Sequence, residues 1–152
     1  MEPKIVERSA FTVVGMHYYG QNENNEIPQM WQEFGPRIQE IEHVVNPHVA
    51  YGISDNMDEE TGEFDYVAGF EVSNAADIPE GMVSWEVPAG TYAVFTTTLP
   101  RIGETFQHAY RTWMPEAGRQ PTSGPDFELY DENFDPQDPN SEFEVCVPIK
   151  EA

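Results

Sequence analysis

From Phe11 to Tyr19 the chain reads FTVVGMHYY, a run of β-branched and aromatic residues, and with the stretch before it predicts a first strand region over 4–19. The polar QNENNE that follows is loop-like. Ile27, Met30, Trp31, Phe34, Ile38 and Ile41 then recur at helical spacing and make one apolar stripe on a helix that begins near Glu26. Pro28 is tolerated in its first turn, and Gly35-Pro36 predicts a kink. HVAYGIS (48–54) and FDYVAGFEV (64–72) read as strands joined by an acidic hairpin tip that contains Gly62. VSWEVPAGTYAVFTTT (83–98) is extended and broken by the turn signal Pro88-Ala89-Gly90. A second helix is expected from Ile102 to about Met114, with Ile102, Phe106, Ala109, Tyr110 and Trp113 on its stripe and Pro115 and Gly118 at its end. FELYDE and EFEVCVPIK are the last two strands.

The order strand, helix, strand, strand therefore runs twice. The halves lie at about 4–75 and 82–150 of a single domain, 1–152. YGISDN followed by FDYVAGFEV parallels FELYDEN followed by EFEVCVPI, which sets Tyr51 against Glu128 in a repeat alignment. The pattern implies an α+β fold, a duplicated βαββ module with pseudo-twofold symmetry and a groove near its axis. In PDFELYDE (125–132), alternation sends Phe127 and Leu129 to one face and Glu128 and Tyr130 to the other. Alternation alone leaves two readings of Glu128: an exposed carboxylate on an outer sheet face, or one held beside aromatics.

Charge changes the picture of partners. The 28 acidic and 7 basic residues among 152 give a formal charge of −21, which repels nucleic-acid phosphates and anionic membranes and favours cationic ligands or a basic protein partner. Acidity also serves solubility alone. The single cysteine, Cys146, excludes an internal disulfide, and in a strand it reads as a small buried hydrophobe. MEPKIVERSAF lacks a signal-peptide pattern and no apolar run reaches membrane-spanning length, so a cytoplasmic protein is expected. His43 and His48 do not have a zinc spacing, and DNMDEETGE lacks the EF-hand arrangement, so neither metal nor cofactor is expected.

IPQMWQEF, YGISDN, FDYVAGFEV, VPAGTYAVF, RTWMPEAG, PDFELYDE and EVCVPIK come in an order that resembles GyrI-like small-molecule-binding domains. These are the effector-binding domains of AraC-type and MerR-type regulators, which also occur alone. The resemblance spans roughly 3–150. It implies paired strand-helix-strand-strand (SHS2) modules around a central pocket, multidrug-type binding of amphipathic planar or cationic molecules, and an acidic residue at the bottom of an aromatic pocket. Glu128 stands at that position. Tyr130 shares its face, and Tyr51, Tyr66 and Tyr110 are further candidates to line the pocket. Trp31 and Trp113, one on each helix, either wall the groove or anchor the core. Phe64 and Phe106 read as core, and Trp85 as structural. Two alternatives come with the family. One is hydrolysis of cyclopropane rings in genotoxic natural products, with Glu128 as general base and Tyr51 or Tyr130 as hydrogen-bond donor. The other is gyrase-inhibitor-like interaction with a basic partner. The chain opens at its first strand with no helix-turn-helix, so it is not expected to bind DNA by itself.

Overall fold

A computed structural model describes residues 2–150. The eight strands are β1 (Lys4–Arg8), β2 (Phe11–Gly20), β3 (Ala50–Asp55), β4 (Phe64–Val72), β5 (Val83–Val87), β6 (Gly90–Thr98), β7 (Asp126–Tyr130) and β8 (Glu142–Ile149). They form one sheet in the order β1-β6-β8-β7-β3-β4-β2-β5, with every pairing antiparallel. The expected α+β class is the observed one. β7 and β3 lie at the centre. Outward from them run β8, β6 and β1 on one side and β4, β2 and β5 on the other.

Two features of this order escape local patterning. The 4–19 region is two strands, not one: β1 pairs with β6, whereas β2 pairs with β4 and β5. The halves thus exchange edge strands, β1 going to the second half's strands and β5 to the first half's. As expected, the Pro88-Ala89 turn separates β5 from β6.

The helices cover one face. Helix α1 (Glu26–Phe34) buries Met30 and Phe34 against Val14, Ala68 and Phe70 of β2 and β4. Asn25 is its N-cap residue, and Asn22 Oδ1, from the preceding loop, accepts the Ile27 N–H at 3.0 Å. The α-helix stops at Phe34 and continues to Glu40 as a 3-10 helix, so the expected kink is a change of helix type. Pro36 supplies the cause: it has no N–H to donate and its ring crowds the carbonyl four residues earlier. The second helical segment comprises α2 (Ile102–Gln107), a π-helical turn (His108–Trp113) and α3 (Met114–Ala117). It runs past Pro115, which sits in the first turn of α3. Gly118, the other expected end signal, closes it at φ 67°, with the Arg119 N–H bonded back to the Met114 carbonyl at 2.8 Å. This segment packs Ala109 and Met114 on Ala93, Phe95, Val145 and Val147 of β6 and β8. Among the described residues, no helix is long and apolar enough to cross a membrane.

The opposite face carries its own core without a helix: Phe11, Val13, Tyr51, Ile53, Tyr92, Phe127 and Cys146 cluster there. The Arg8 guanidinium lies over the Phe11 and Phe127 rings at 4.8 and 5.3 Å. Cys146 is buried among these side chains, and burial pushes its thiol up to about 12.

β2 and β4 approach closely at the paired glycines Gly15 and Gly69. A Cβ on Gly15 would stand 1.8 Å from the Ala68 carbonyl oxygen, and one on Gly69 would stand 2.4 Å from that of Val14. Backbone cannot yield as a side chain can, so overpacking here strains the ladder itself. Gly15→Ala is expected to lower the unfolding free energy by about 2 kcal/mol or more, with the urea midpoint as the readout.

Candidate functional site

The central strands β7 and β3 lie between the strands that carry the two helical segments. On β7, Asp126, Glu128 and Tyr130 point to the helix-covered face, and Phe127 packs in the opposite core. The expected alternation holds. Glu128 is 8% exposed. It is flanked in register by Gly52 of β3 and Val145 of β8.

Gly52 is what makes room for it. A Cβ there would stand 2.7 Å from Glu128 Oε1 and 2.1 Å from the Tyr66 hydroxyl oxygen. Into that space Tyr66 donates a hydrogen bond to Glu128 Oε1 at 2.9 Å, and Tyr130 donates another to the same atom at 2.5 Å. The Trp31 indole N–H donates to the Tyr66 hydroxyl at 3.0 Å, which ties α1 into the chain. The Trp31 ring meets Tyr130 edge-on at 5.7 Å, and Tyr130 leans on Phe143 and Phe134 at 4.6 and 4.8 Å. The site is thus a buried carboxylate under an aromatic lid drawn from α1, β4, β7, β8 and the β7–β8 loop. None of the hydrogen bonds among the described residues ends on Oε2, and none of the ion pairs involves Glu128.

Burial raises the Glu128 carboxyl above its usual range, against the lowering effect of the Tyr130 and Tyr66 hydrogen bonds. The phenols are themselves pushed up, first by burial and then by the Glu128 charge. Both stay protonated and act only as donors toward the carboxylate.

Asp126 is a second carboxylate that sequence reasoning passed over. It is partly buried, and the Tyr110 hydroxyl from the π-helical turn donates to its Oδ2 at 3.1 Å. Burial pushes its carboxyl up to about 7; the Tyr110 bond opposes this, and the Glu128 and Asp55 charges add to it. The signal was present, since Asp126 stands two residues before Glu128 and alternation places both on one face.

The candidate residues separate clearly. Glu128, Tyr130, Tyr66 and Trp31 come together, and Tyr110 joins through Asp126. Trp113 packs edge-on against Phe95 at 5.7 Å, in the core beneath the second helix. Tyr51 does not join it. Its register partner is Leu129, not Glu128, so its ring lies on the other face beside Phe11 and Phe127, where its hydroxyl accepts from Arg8 at 3.1 Å. The repeat alignment set Tyr51 with Glu128, but the two lie on opposite faces of the sheet, as any odd offset along a strand produces. The proposed hydrolytic role for Tyr51 falls with it. Trp85 lies on the edge strand β5, stacked on His17 and bonded to Asp55. Away from Glu128, Glu42, His43 and Asp77 place candidate ligand atoms within 4.8 Å of one another, all three exposed. His48 is not among them and instead faces Glu132 at 3.7 Å.

Asp126 gives the apo site a pH dependence of known sign. Its folded value, about 7, lies above the ordinary carboxylate range. Its contribution to stability is therefore full below about pH 4 and is lost as pH rises through about 7. Asp126→Asn is expected to raise the melting temperature by several degrees above neutrality and to give no gain near pH 4; thermal unfolding monitored by circular dichroism at both pH values checks this.

Comparison with known proteins follows the same outline. Residues 4–149 match the family model described as Cass2, integron-associated effector binding protein. The transcriptional regulator BrlR of Pseudomonas aeruginosa is 48% identical over 152 residues, 98% of this chain but 56% of BrlR, so the chain spans little more than half of that relative. The structure of SAV2435 bound to tetraphenylphosphonium superposes with a TM-score of 0.74 at 20% identity, covering 99% of this chain and 94% of that one. The integron cassette protein VCH_CASS2 from the mobile metagenome of Vibrio cholerae gives 0.65 at 19% identity, over 98% and 96% of the two chains. These likenesses fit the GyrI-like resemblance in fold. With nearly its whole length under one family model, and its central strands arranged as such a fold requires, the chain belongs to the integron-associated effector-binding proteins.

Proposed function

We propose that this protein binds amphipathic small molecules, planar or cationic, in the cleft between its helical segments, with Glu128 as the anionic end of the site. The observation that carries the reading is Glu128 itself: 8% exposed, roofed by aromatic rings, and without an ion-pair partner among the described residues. An ionised carboxylate in that position is costly, and a cation that enters the cleft offsets the cost directly. A delocalised organic cation suits it better than a metal ion or an amine. Such a cation loses little hydration, and each aromatic face adds about 0.5–2 kcal/mol. The tetraphenylphosphonium held by SAV2435, a protein of the same fold, supports this class of ligand.

Tyr66 and Tyr130 set the orientation. Both donate to Oε1, which leaves Oε2 and the faces of Tyr130 and Trp31 for the ligand. Glu128→Gln keeps the shape and removes the charge.

Titration of tetraphenylphosphonium into the purified protein by calorimetry tests the reading. Wild-type protein is expected to bind saturably, and Glu128→Gln about tenfold or more weakly, the change that ~1.4 kcal/mol produces. Because the folded carboxyl is raised and the cation prefers the ionised form, wild-type affinity is expected to rise with pH through that raised value, and the variant's to rise less. Equal affinities in the two proteins would return Glu128 to a purely structural role.

A further inference from the structure

We propose that Asp126 is a second charge-recognition residue of this cleft, and that the site therefore selects elongated aromatic dications over monocations of the same shape. The inference rests on the cation-binding reading of Glu128 and extends it to the class of ligand.

Asp126 and Glu128 alternate on β7 with one residue between them, so their backbone positions are roughly 6.5–7 Å apart along the strand. Each is aimed by a separate partner. Glu128 is held by Tyr66 and Tyr130, and Asp126 by Tyr110 from the second helical segment. Two carboxyl groups are thus fixed at set positions on one face. No Lys, Arg or His is ion-paired to either among the described residues. Glu128 is more than nine-tenths buried, with Oε2 unbonded among the described residues.

Asp55, the other acid close enough to act on Asp126, is not part of the pair. It lies on the opposite face of β3 and accepts a hydrogen bond from Trp85 at 3.2 Å. The charge pair facing the cleft is therefore Asp126 and Glu128, with Tyr66 and Tyr110 beside it. A monocation at Glu128 leaves Asp126 uncompensated. A flat ligand with positive centres at its two ends answers both carboxylates at once and lays its ring system along the aromatic side chains.

The test uses two ligands of the same biaryl outline, N,N′-dimethyl-4,4′-bipyridinium with two charges and 1-methyl-4-phenylpyridinium with one. Each is titrated by calorimetry above neutrality at fixed ionic strength. The proteins are wild type, Asp126→Asn, Glu128→Gln and Glu59→Gln, the last removing an exposed charge on the β3–β4 hairpin tip. Wild type is expected to prefer the dication by about tenfold or more, the change equivalent to ~1.4 kcal/mol. Asp126→Asn is expected to bring the two affinities together while keeping that for the monocation, and Glu59→Gln to leave the preference intact. If Asp126→Asn keeps the wild-type preference, or loses both ligands together, the inference is overturned. The same follows if Glu59→Gln abolishes the preference as fully as Asp126→Asn, because net charge would then explain it. Glu128→Gln reports on the underlying reading separately: unchanged monocation binding in that variant defeats the cation site itself, whatever Asp126 does.

Discussion

Glu128 lies across from a residue with no side chain, and the centre of the molecule is built around that absence. Gly52 leaves a gap in the row where a Cβ would meet both the Glu128 carboxylate and the Tyr66 hydroxyl. The polar chain that fills the gap has only one possible direction. An indole N–H can only donate, so Trp31 must give to Tyr66. The Tyr66 proton is then left for Glu128, and Tyr130 supplies the second donor. Three elements, α1, β4 and β7, are locked to one another through a carboxylate oxygen. A buried polar network of this kind specifies a single arrangement because each of its members is costly to leave unsatisfied.

The two halves share an architecture and differ in how they use it. Each helix carries a tryptophan on its apolar stripe, but only Trp31 reaches the polar chain; Trp113 spends its ring on Phe95. The second helical segment contributes Tyr110 instead, from a π-helical turn, and that phenol addresses Asp126 rather than Glu128. Both carboxylates come from β7, while β3, their neighbour across the axis, offers Gly52 and Ser54 in the matching rows. The fold's near symmetry thus frames a site that is charged from one strand alone.

Much of this was legible in the sequence where the signal is local. β4 falls where its β-branched and aromatic run predicts, the Pro88-Ala89 turn divides β5 from β6, and Glu128 and Tyr130 share a face by simple alternation. What escaped was non-local or depended on parity. Nothing in KIVER says that it crosses to pair with β6. Pro115 and Gly118 both read as end signals, yet the helix passes the first by way of a π turn and ends at the second. Tyr51 was placed with Glu128 by aligning repeats, and an error of one position in a strand reverses every side chain. Asp126 and Gly52 needed no structure at all. The first follows from the same alternation that placed Glu128, and a glycine inside an apolar strand signals close approach of another group.

The burial of Glu128 also constrains how a ligand enters. At 8% exposure Glu128 is largely covered by its neighbours, so a bulky ligand needs one of them to move aside. Tyr66 is poorly suited: it is 2% exposed, bonded on both sides and seated over Gly52. Trp31 and Tyr130 are only partly buried, and the edge-on contact between them is worth about 0.5–1.5 kcal/mol beyond area burial. Exchanging that contact for stacking on an aromatic ligand costs little, because similar ring contacts are re-formed. On the cation-binding reading proposed above, the Trp31–Tyr130 pair is the wall that adapts, while Tyr66, Glu128 and Gly52 form the fixed floor. Such a division suits ligands of varied outline that share a positive charge.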